Sequence, residues 1–581
     1  MAKRLVVDKE VEIPMRDGVI LRADVHRPDT DEPVPAILKR IPYDKNSPAI
    51  KSSNLEPLRF AEAGYAVIYQ DTRGRFTSDG DFYPGHNEVD DGYDTVEWLA
   101  AQPWCDGAVG MAGLSYMGAV QWSAAIAQPP HLKAIAPKMI GSRDYRDLLA
   151  YQGGAFKAGY LIWLISLFLA PGTLIQKMRT GEATSDDLMQ NLAATDDIET
   201  QTNYRPMADL PLLQNKNAAP YYFDFLKRNP DAPQSQATRD NYDKVQVPVW
   251  NIGGWYDYFL DGTLENFIRM QNEGGSEVAR QQQRLLIGPW DHLFGSAGPG
   301  FDFGIFASKL GIDLDGQLLR YFDYHLKGEE NGLPDDAPVR LYVMGENTWR
   351  DEQEWPLART QYTNWYLHSD GGAIGDGGGL SLEVPASDEA EDAYVYDPHH
   401  PAPTVGGAVG LPGLPIGTNV GYQDQRPVET RQDALVYTSA PLEDAVEVTG
   451  PLTIKLYASS NAPDTDFMVR LCDVHPDGSS RILAGGVIRA RYRNGFDDPS
   501  LLEPGQVYEY VIDLVATSNL FQPGHCIRVH ITSSSFPFIH PNANSGNPIW
   551  EDTDEDLTPA LQTIFHNAEY PSHIVLPIIP R

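Results

Sequence analysis

The sequence predicts an α/β core interrupted by a helical insertion and followed by a separate all-β part. Three observations predict it. In the first third, short and nearly continuous apolar runs alternate with helical stretches. Strand signals vanish between about residues 142 and 240 and then resume. After about residue 350, Gly-rich loops separate many short strands.

Val19, Leu21, Ala23 and Val25 alternate with Arg22 and Asp24, the pattern of a half-buried strand. Runs at 36–38, 65–69 and 108–113 are apolar throughout, and each leads through turn residues to a helical stretch such as 91–101. Strands buried on both faces and separated by helices form a parallel sheet. The pattern returns at 245–252 and 284–288. Between them, the apolar run 158–170 and the polar stretch SDDLMQNLAA predict a helical cap. Strands at 452–458, 467–471 and 527–532, with turn residues between, predict a β-sandwich. A chain of 581 residues exceeds what one hydrophobic core serves. The expected division is a discontinuous core (1–141 and 241–350), a cap (142–240) and a sandwich (351–581).

The formal charge of −35 disfavours nucleic acid and anionic membranes, which carry phosphate charge themselves. Cys105, Cys472 and Cys526 are far apart and show no CxxC spacing, so neither a disulfide framework nor a zinc site is expected. The run 158–170 is shorter than the roughly 20 residues of a membrane span. The first residues show no secretory h-region. The expectation is a cytoplasmic protein with no metal, no organic cofactor, and no nucleic-acid or membrane partner. Homo-oligomer formation is left open.

The segment Val109 to Ala119 reads strand, sharp turn, helix, with Gly113-Leu114-Ser115-Tyr116-Met117-Gly118 at the turn. A nucleophilic serine needs this context, because a strained turn holds its Oγ clear of the backbone. The N–H of Tyr116, at the helix start, would face a developing oxyanion. Met117 stands where the usual Gly-x-Ser-x-Gly pattern has its second glycine. A Gly-x-Ser-x-x-Gly string arises by chance about 0.2 times at this glycine and serine content, so the flanking strand and helix carry the reading.

Serine needs an adjacent base. Of 14 histidines, His292 lies just beyond a buried strand in LLIGPWDH, at the carboxyl edge of the sheet where the serine turn emerges. Asp257, in the turn after VPVWNI, shares that edge and could orient the imidazole. Asp261 and Asp291 are rival carboxylates. The order Ser115, Asp257, His292 is that of an α/β-hydrolase triad.

These segments resemble the cocaine-esterase-like hydrolases, related to X-prolyl dipeptidyl aminopeptidases and α-amino-acid ester hydrolases. The motifs are RIPYDK (40–45), QDTRGRFTSDG (70–80), GLSYMG (113–118), GGWYD (253–257) and GPWDH (288–292), followed by YVMGENTW, EWPLART, DTDFMVRL and IRVHITSSSFP. The resemblance spans nearly the whole chain. It implies an α/β-hydrolase core, a helical cap and a jelly-roll-like β-sandwich, with Ser115, Asp257 and His292 as the triad. It also implies that the Tyr43 hydroxyl joins the Tyr116 N–H in an oxyanion hole. The amino-acid ester hydrolases bind a substrate ammonium through carboxylates just after the triad aspartate; here Tyr258, Phe259 and Leu260 stand there. Trp255, Tyr258 and Phe259 instead suggest an apolar acyl pocket, completed by Tyr160, Trp163 and Phe168, for which plain helix packing is the alternative. The expected activity is hydrolysis of a carboxylic ester through an acyl-enzyme. An acylase or peptidase, a biosynthetic acyltransferase and a non-catalytic carbohydrate-binding or scaffolding protein are the other readings.

Overall fold

The computed structural model describes residues 4–48, 56–233, 238–298, 300–375, 377–409 and 420–581. Ten strands form the core sheet: β1 (Leu5–Pro14), β2 (Ile20–Pro28), β3 (Val34–Ile41), β4 (Ala66–Asp71), β5 (Cys105–Leu114), β6 (Leu132–Lys138), β7 (Trp250–Tyr256), β8 (Arg284–Asp291), β9 (Val339–Val343) and β10 (Thr348–Glu352). Their order is β1-β2-β4-β3-β5-β6-β7-β8-β9-β10. Neighbours from β4 to β9 are parallel, and the three outer pairings are antiparallel. Every residue of β4 and β7 is buried, as a sheet covered on both faces requires. Helices α1 (Glu88–Ala100) and α2 (Tyr116–Ala127) pack on the sheet.

The chain leaves β3 for β4 on one side and reaches β5 on the other. A crevice therefore opens beyond the carboxyl ends of β3 and β5, where α/β sheets bind ligands. Tyr43 follows β3 by two residues and Ser115 follows β5 directly.

The strand expected at 245–252 lies further on. Residues Tyr242–Lys244 form a 3₁₀ turn, Pro248 offers no N–H to a ladder, and β7 runs through the GGWY that reads as a turn. Gly254 is there for close approach. A Cβ on it would stand 2.2 Å from the Trp290 carbonyl oxygen of β8.

Between β6 and β7 the chain is mainly helical. Helix α3 (Ala158–Trp163) passes through a π-helical stretch (Leu164–Leu169) into α4 (Ala170–Thr180), and α5 (Ser185–Thr195) follows with a Thr184/Asp187 capping box. The apolar helix is longer than the run 158–170 suggests: Ala158–Thr180 is long and apolar enough to cross a membrane, yet most of its apolar window is buried within this protein. Backbone hydrogen bonds fasten this region to the sandwich. Arg489 N–H donates to the Gly153 carbonyl at 2.8 Å, His540 N–H to Phe156 at 2.9 Å, and Gly159 N–H to Pro537 at 3.0 Å. After β7, α6 (Leu260–Glu273) and α7 (Leu314–Lys327) complete the core.

The C-terminal part is a β-sandwich. Its strands are β11 (Gln361–His368), β12 (Gly378–Ser381), β13 (Asp392–Tyr396), β14 (Leu435–Thr438), β15 (Val446–Ser460), β16 (Asp466–Val474), β17 (Ser480–Arg489), β18 (Tyr508–Phe521), β19 (Cys526–Thr532), β20 (Ala560–Phe565) and β21 (His573–Ile579). They pair in the order β13-β20-β15-β21-β11-β12-β14-β19-β16-β17, with β18 on β15. Inward residues such as Leu452, Ile454, Leu456 and Phe467 form its core, which also takes in Trp255 and Leu341.

Candidate active site

Ser115 has φ 62° and ψ −127°, a strained conformation for an L-residue. Its neighbours make the turn feasible. A Cβ on Gly113 would lie 2.6 Å from Met117 Cβ, and one on Gly118 would lie 3.0–3.1 Å from Ile140 and the Lys138 carbonyl. Gly118, one place later than the usual pattern, thus lets α2 approach β6. Ser115 N–H donates to the Lys138 carbonyl at 2.9 Å, while its side chain makes no cap bond to α2. The serine side chain instead lies beside the hydroxyl of Tyr43 and lowers its pKa. Burial pushes the Tyr43 phenol up to about 12, which keeps it protonated near neutrality. Tyr116 opens α2, so its N–H has no intrahelical acceptor. The Tyr116 side chain points elsewhere: its hydroxyl donates to Glu88 at 2.8 Å and accepts from Gly85 N–H at 3.0 Å.

His292, 2% exposed, places Nδ1 2.7 Å from Asp257 Oδ1. Both lie one residue beyond their strands, β8 and β7. The rival carboxylates are engaged otherwise. Asp291 accepts the N–H groups of Leu293 and Gly295, both at 2.8 Å, and so shapes the loop that carries His292. Asp261 pairs with Arg143 at 3.1 Å. The second Asp257 oxygen is buried without a hydrogen-bond donor among the described residues.

Aromatic rings cover this group. The Tyr258 ring lies 4.6 Å from His292, tilted 32°, and Phe259 lies 5.5 Å from it, edge on. Tyr258 O–H donates to Tyr160 at 2.8 Å. Tyr43 packs edge-to-face on Phe168 at 5.7 Å, and Phe168 on Trp163 at 4.9 Å. Tyr43 also lies within electrostatic reach of Tyr160 and Tyr258. Trp255 is a correction. Its indole N–H donates to the Tyr342 carbonyl at 2.7 Å and its ring packs on Trp355, so it belongs to the core shared with the sandwich and not to this wall. It stands on β7, which pairs with β8, and its indole reaches over to Tyr342 of β9.

Two residues here escape a reading of the sequence. Arg75, fully buried, donates from Nε to the Pro42 carbonyl at 2.7 Å, from Nη2 to Phe168 at 2.9 Å and from Nη1 to Thr173 Oγ1 at 2.6 Å; it also bonds the Leu169 carbonyl. It ties the residue before Tyr43 to the π-helical turn that presents Phe168. The DTRGRF motif signals only a turn at Gly74, and Arg75's partners lie 33 residues before it and more than 90 after it. Lys157, 4% exposed, donates to the Leu148 carbonyl at 2.7 Å and places Nζ 5.4–6.0 Å from the Tyr160, Tyr258 and Phe259 rings. Burial pulls its pKa down to about 7. Among the described residues, the His/Cys/carboxylate groups compact enough to chelate an ion lie in the sandwich.

Residues 17–294 match the family model for X-Pro dipeptidyl-peptidase (S15 family), and residues 331–575 match the X-Pro dipeptidyl-peptidase C-terminal non-catalytic domain. The chain is 39% identical to the cocaine esterase of Rhodococcus sp. (strain MB1 Bresler) over 583 residues, covering 99% of each. Among solved structures, it is similar to an aminopeptidase from the marine sediment archaeon Thaumarchaeota archaeon, with a TM-score of 0.79, 25% identity and coverage of 100% and 97% of the two chains. It shares its fold with an α-amino acid ester hydrolase, with a TM-score of 0.77, 24% identity and coverage of 99% and 97%.

Proposed function

Because the chain belongs to the S15 family of X-Pro dipeptidyl-peptidases, the family of serine hydrolases that includes cocaine esterase, we propose that it hydrolyses carboxylic esters of a bulky, apolar acyl group through an acyl-enzyme on Ser115. His292 takes the serine proton as Oγ attacks the ester carbonyl. Asp257, 2.7 Å from His292, holds the imidazole tautomer and stabilises the imidazolium. The negative oxygen of the tetrahedral intermediate rests between the Tyr116 N–H and the Tyr43 hydroxyl. His292 then protonates the departing alcohol, and a water molecule repeats the sequence to release the acid.

The observation that carries this reading is the strained Ser115 beside Tyr43, on the same sheet edge as the buried His292–Asp257 pair. The acyl preference rests on Tyr43, Tyr160, Trp163, Phe168, Tyr258 and Phe259, which present rings rather than charges. Lys157 behind them adds positive character, which disfavours an α-ammonium on the substrate. Ser115→Ala tests the proposal: turnover of p-nitrophenyl acylates should fall by about 10⁴-fold or more with the fold intact. Matched anilides, assayed in parallel, should turn over more slowly than the esters. A retained ester rate in Ser115→Ala would refute the assignment.

A further inference from the structure

The sandwich carries a side-chain cluster that ester chemistry does not use. Asp473 lies near the end of β16, His475 just past it, and His525 just before β19. They meet because β16 and β19 pair antiparallel with Val474 opposite Cys526. His525 Nδ1 lies 2.7 Å from Asp473 Oδ1, and His475 Nε2 lies 3.9 Å from Asp473 Oδ2. The two imidazole centroids are 4.5 Å apart, and the three donor atoms all lie within 4.8 Å of one another.

We propose that Asp473, His475 and His525 bind one divalent transition-metal ion of the zinc, cobalt or nickel kind. The donor set suits such ions: two imidazoles and a carboxylate are neither soft enough for copper(I) nor oxygen-rich enough for calcium. The spacing suits them too. Zinc–ligand bonds of about 2.0–2.2 Å at tetrahedral angles set neighbouring donors about 3.4 Å apart. The 3.9 Å gap between His475 and Asp473 is too long for a hydrogen bond and close to that value. The His525–Asp473 pair needs to open by less than about 1 Å.

The surroundings supply what a metal site needs beyond its ligands. Asn519 Nδ2 donates to Asp473 Oδ2 at 3.3 Å, one polar support, whereas the Tyr422 hydroxyl, 2.8 Å from His475 Nε2, must release that nitrogen to the ion and can then turn its oxygen toward it. Both histidines sit on hydrogen-bonded turns: His475 N–H donates to the Ser479 carbonyl at 2.9 Å, and His525 N–H to Gln522 at 3.0 Å. The His475 side chain is 32% exposed whereas Asp473 is 1% exposed, so an ion entering from solvent meets the imidazole first and the carboxylate at the base. The neighbouring Glu429, Cys472 and His530 group is fully buried, and its glutamate is already engaged by Arg528 and Ser480. Occupancy would also break the Tyr422–His475 hydrogen bond, leaving the Tyr422 ring held by its packing on Phe301 and Phe303.

The test is titration of the tag-free, EDTA-stripped full chain with zinc(II) by calorimetry, and with cobalt(II) by visible absorption. The expected result is one ion per chain with a tetrahedral cobalt spectrum. His475→Ala and His525→Ala should each weaken binding roughly a hundredfold or more, since three ligands become two. Ser115→Ala should bind as the wild type does. If His525→Ala fails to fold, His475→Ala, whose ring is at the surface, answers the question alone. Absence of stoichiometric uptake, or equal uptake by the wild type and His475→Ala, overturns the proposal and assigns any bound zinc to scattered histidines.

Discussion

The hydroxyl of Tyr43, on the loop after β3, lies beside the side chain of Ser115 at the turn after β5. Those two strand ends flank the point where the sheet reverses its order. Two hydroxyl side chains are thereby delivered to one spot from segments some 70 residues apart, each needing only its own strand to end there.

Tyr43→Phe should therefore cost rate and not fold. The ring keeps its contact with Phe168 and loses only the donor. We expect kcat to fall about 10²–10³-fold with KM little changed, the usual cost of removing one oxyanion donor. Steady-state kinetics on an activated ester, alongside circular dichroism, measure this. A kcat within about twofold of wild type would exclude the hydroxyl from the reaction.

Asp71 predicts a pH dependence of stability. Its carboxylate accepts Lys45 N–H at 2.8 Å and Thr77 O–H at 2.9 Å, but burial dominates and raises its pKa from 3.8 to about 6. The folded state thus holds this proton more tightly than the unfolded chain does. The resulting stabilisation is complete below about pH 4 and is lost as pH rises to about 6, an effect of about 3 kcal/mol. Asp71→Asn removes it. Urea melts of both proteins should show the variant gaining on the wild type between pH 4 and 6 and a constant difference above. Parallel curves would show that the carboxyl is not elevated.

Arg75 spans four separate acceptors, so a point charge cannot replace it. Burial lowers its pKa only to about 10, and it stays charged. Arg75→Lys should leave buried carbonyls without donors and cost about 2–4 kcal/mol. It should also raise KM for bulky esters, because Phe168 and the Tyr43 loop lose their common tie. Denaturant titration and kinetics check the two parts separately; unchanged stability would mean that water or a neighbour takes over the carbonyls.

Much of the fold is legible in the sequence because its signals are local. Runs such as YAVIY and the glycines around Ser115 state their own conformation, and residues just past a buried strand must emerge at its carboxyl edge. That is why Ser115, Asp257 and His292 stand out before any coordinates. The misreadings have the opposite cause. Gly253 and Gly254 look like a turn until β8 is seen pressing on β7. Trp255 looks like a pocket wall until its indole finds the Tyr342 carbonyl. Arg75 carries no local signature at all, since its acceptors come from the loop after β3 and from a helix nearly a hundred residues later. The Asp473, His475 and His525 group is equally silent, its members brought together only by the β16–β19 register.

Under the proposed function, the bonds of Arg489, Pro537 and His540 with Gly153, Gly159 and Phe156 would give the β-sandwich a share in catalytic selectivity. The proposed acyl pocket would be bounded by a wall whose anchor bolts are set in the other half of the molecule. Substrate range can therefore drift through changes at positions far from the reacting atoms, leaving the chemistry untouched while the mould around it is recut.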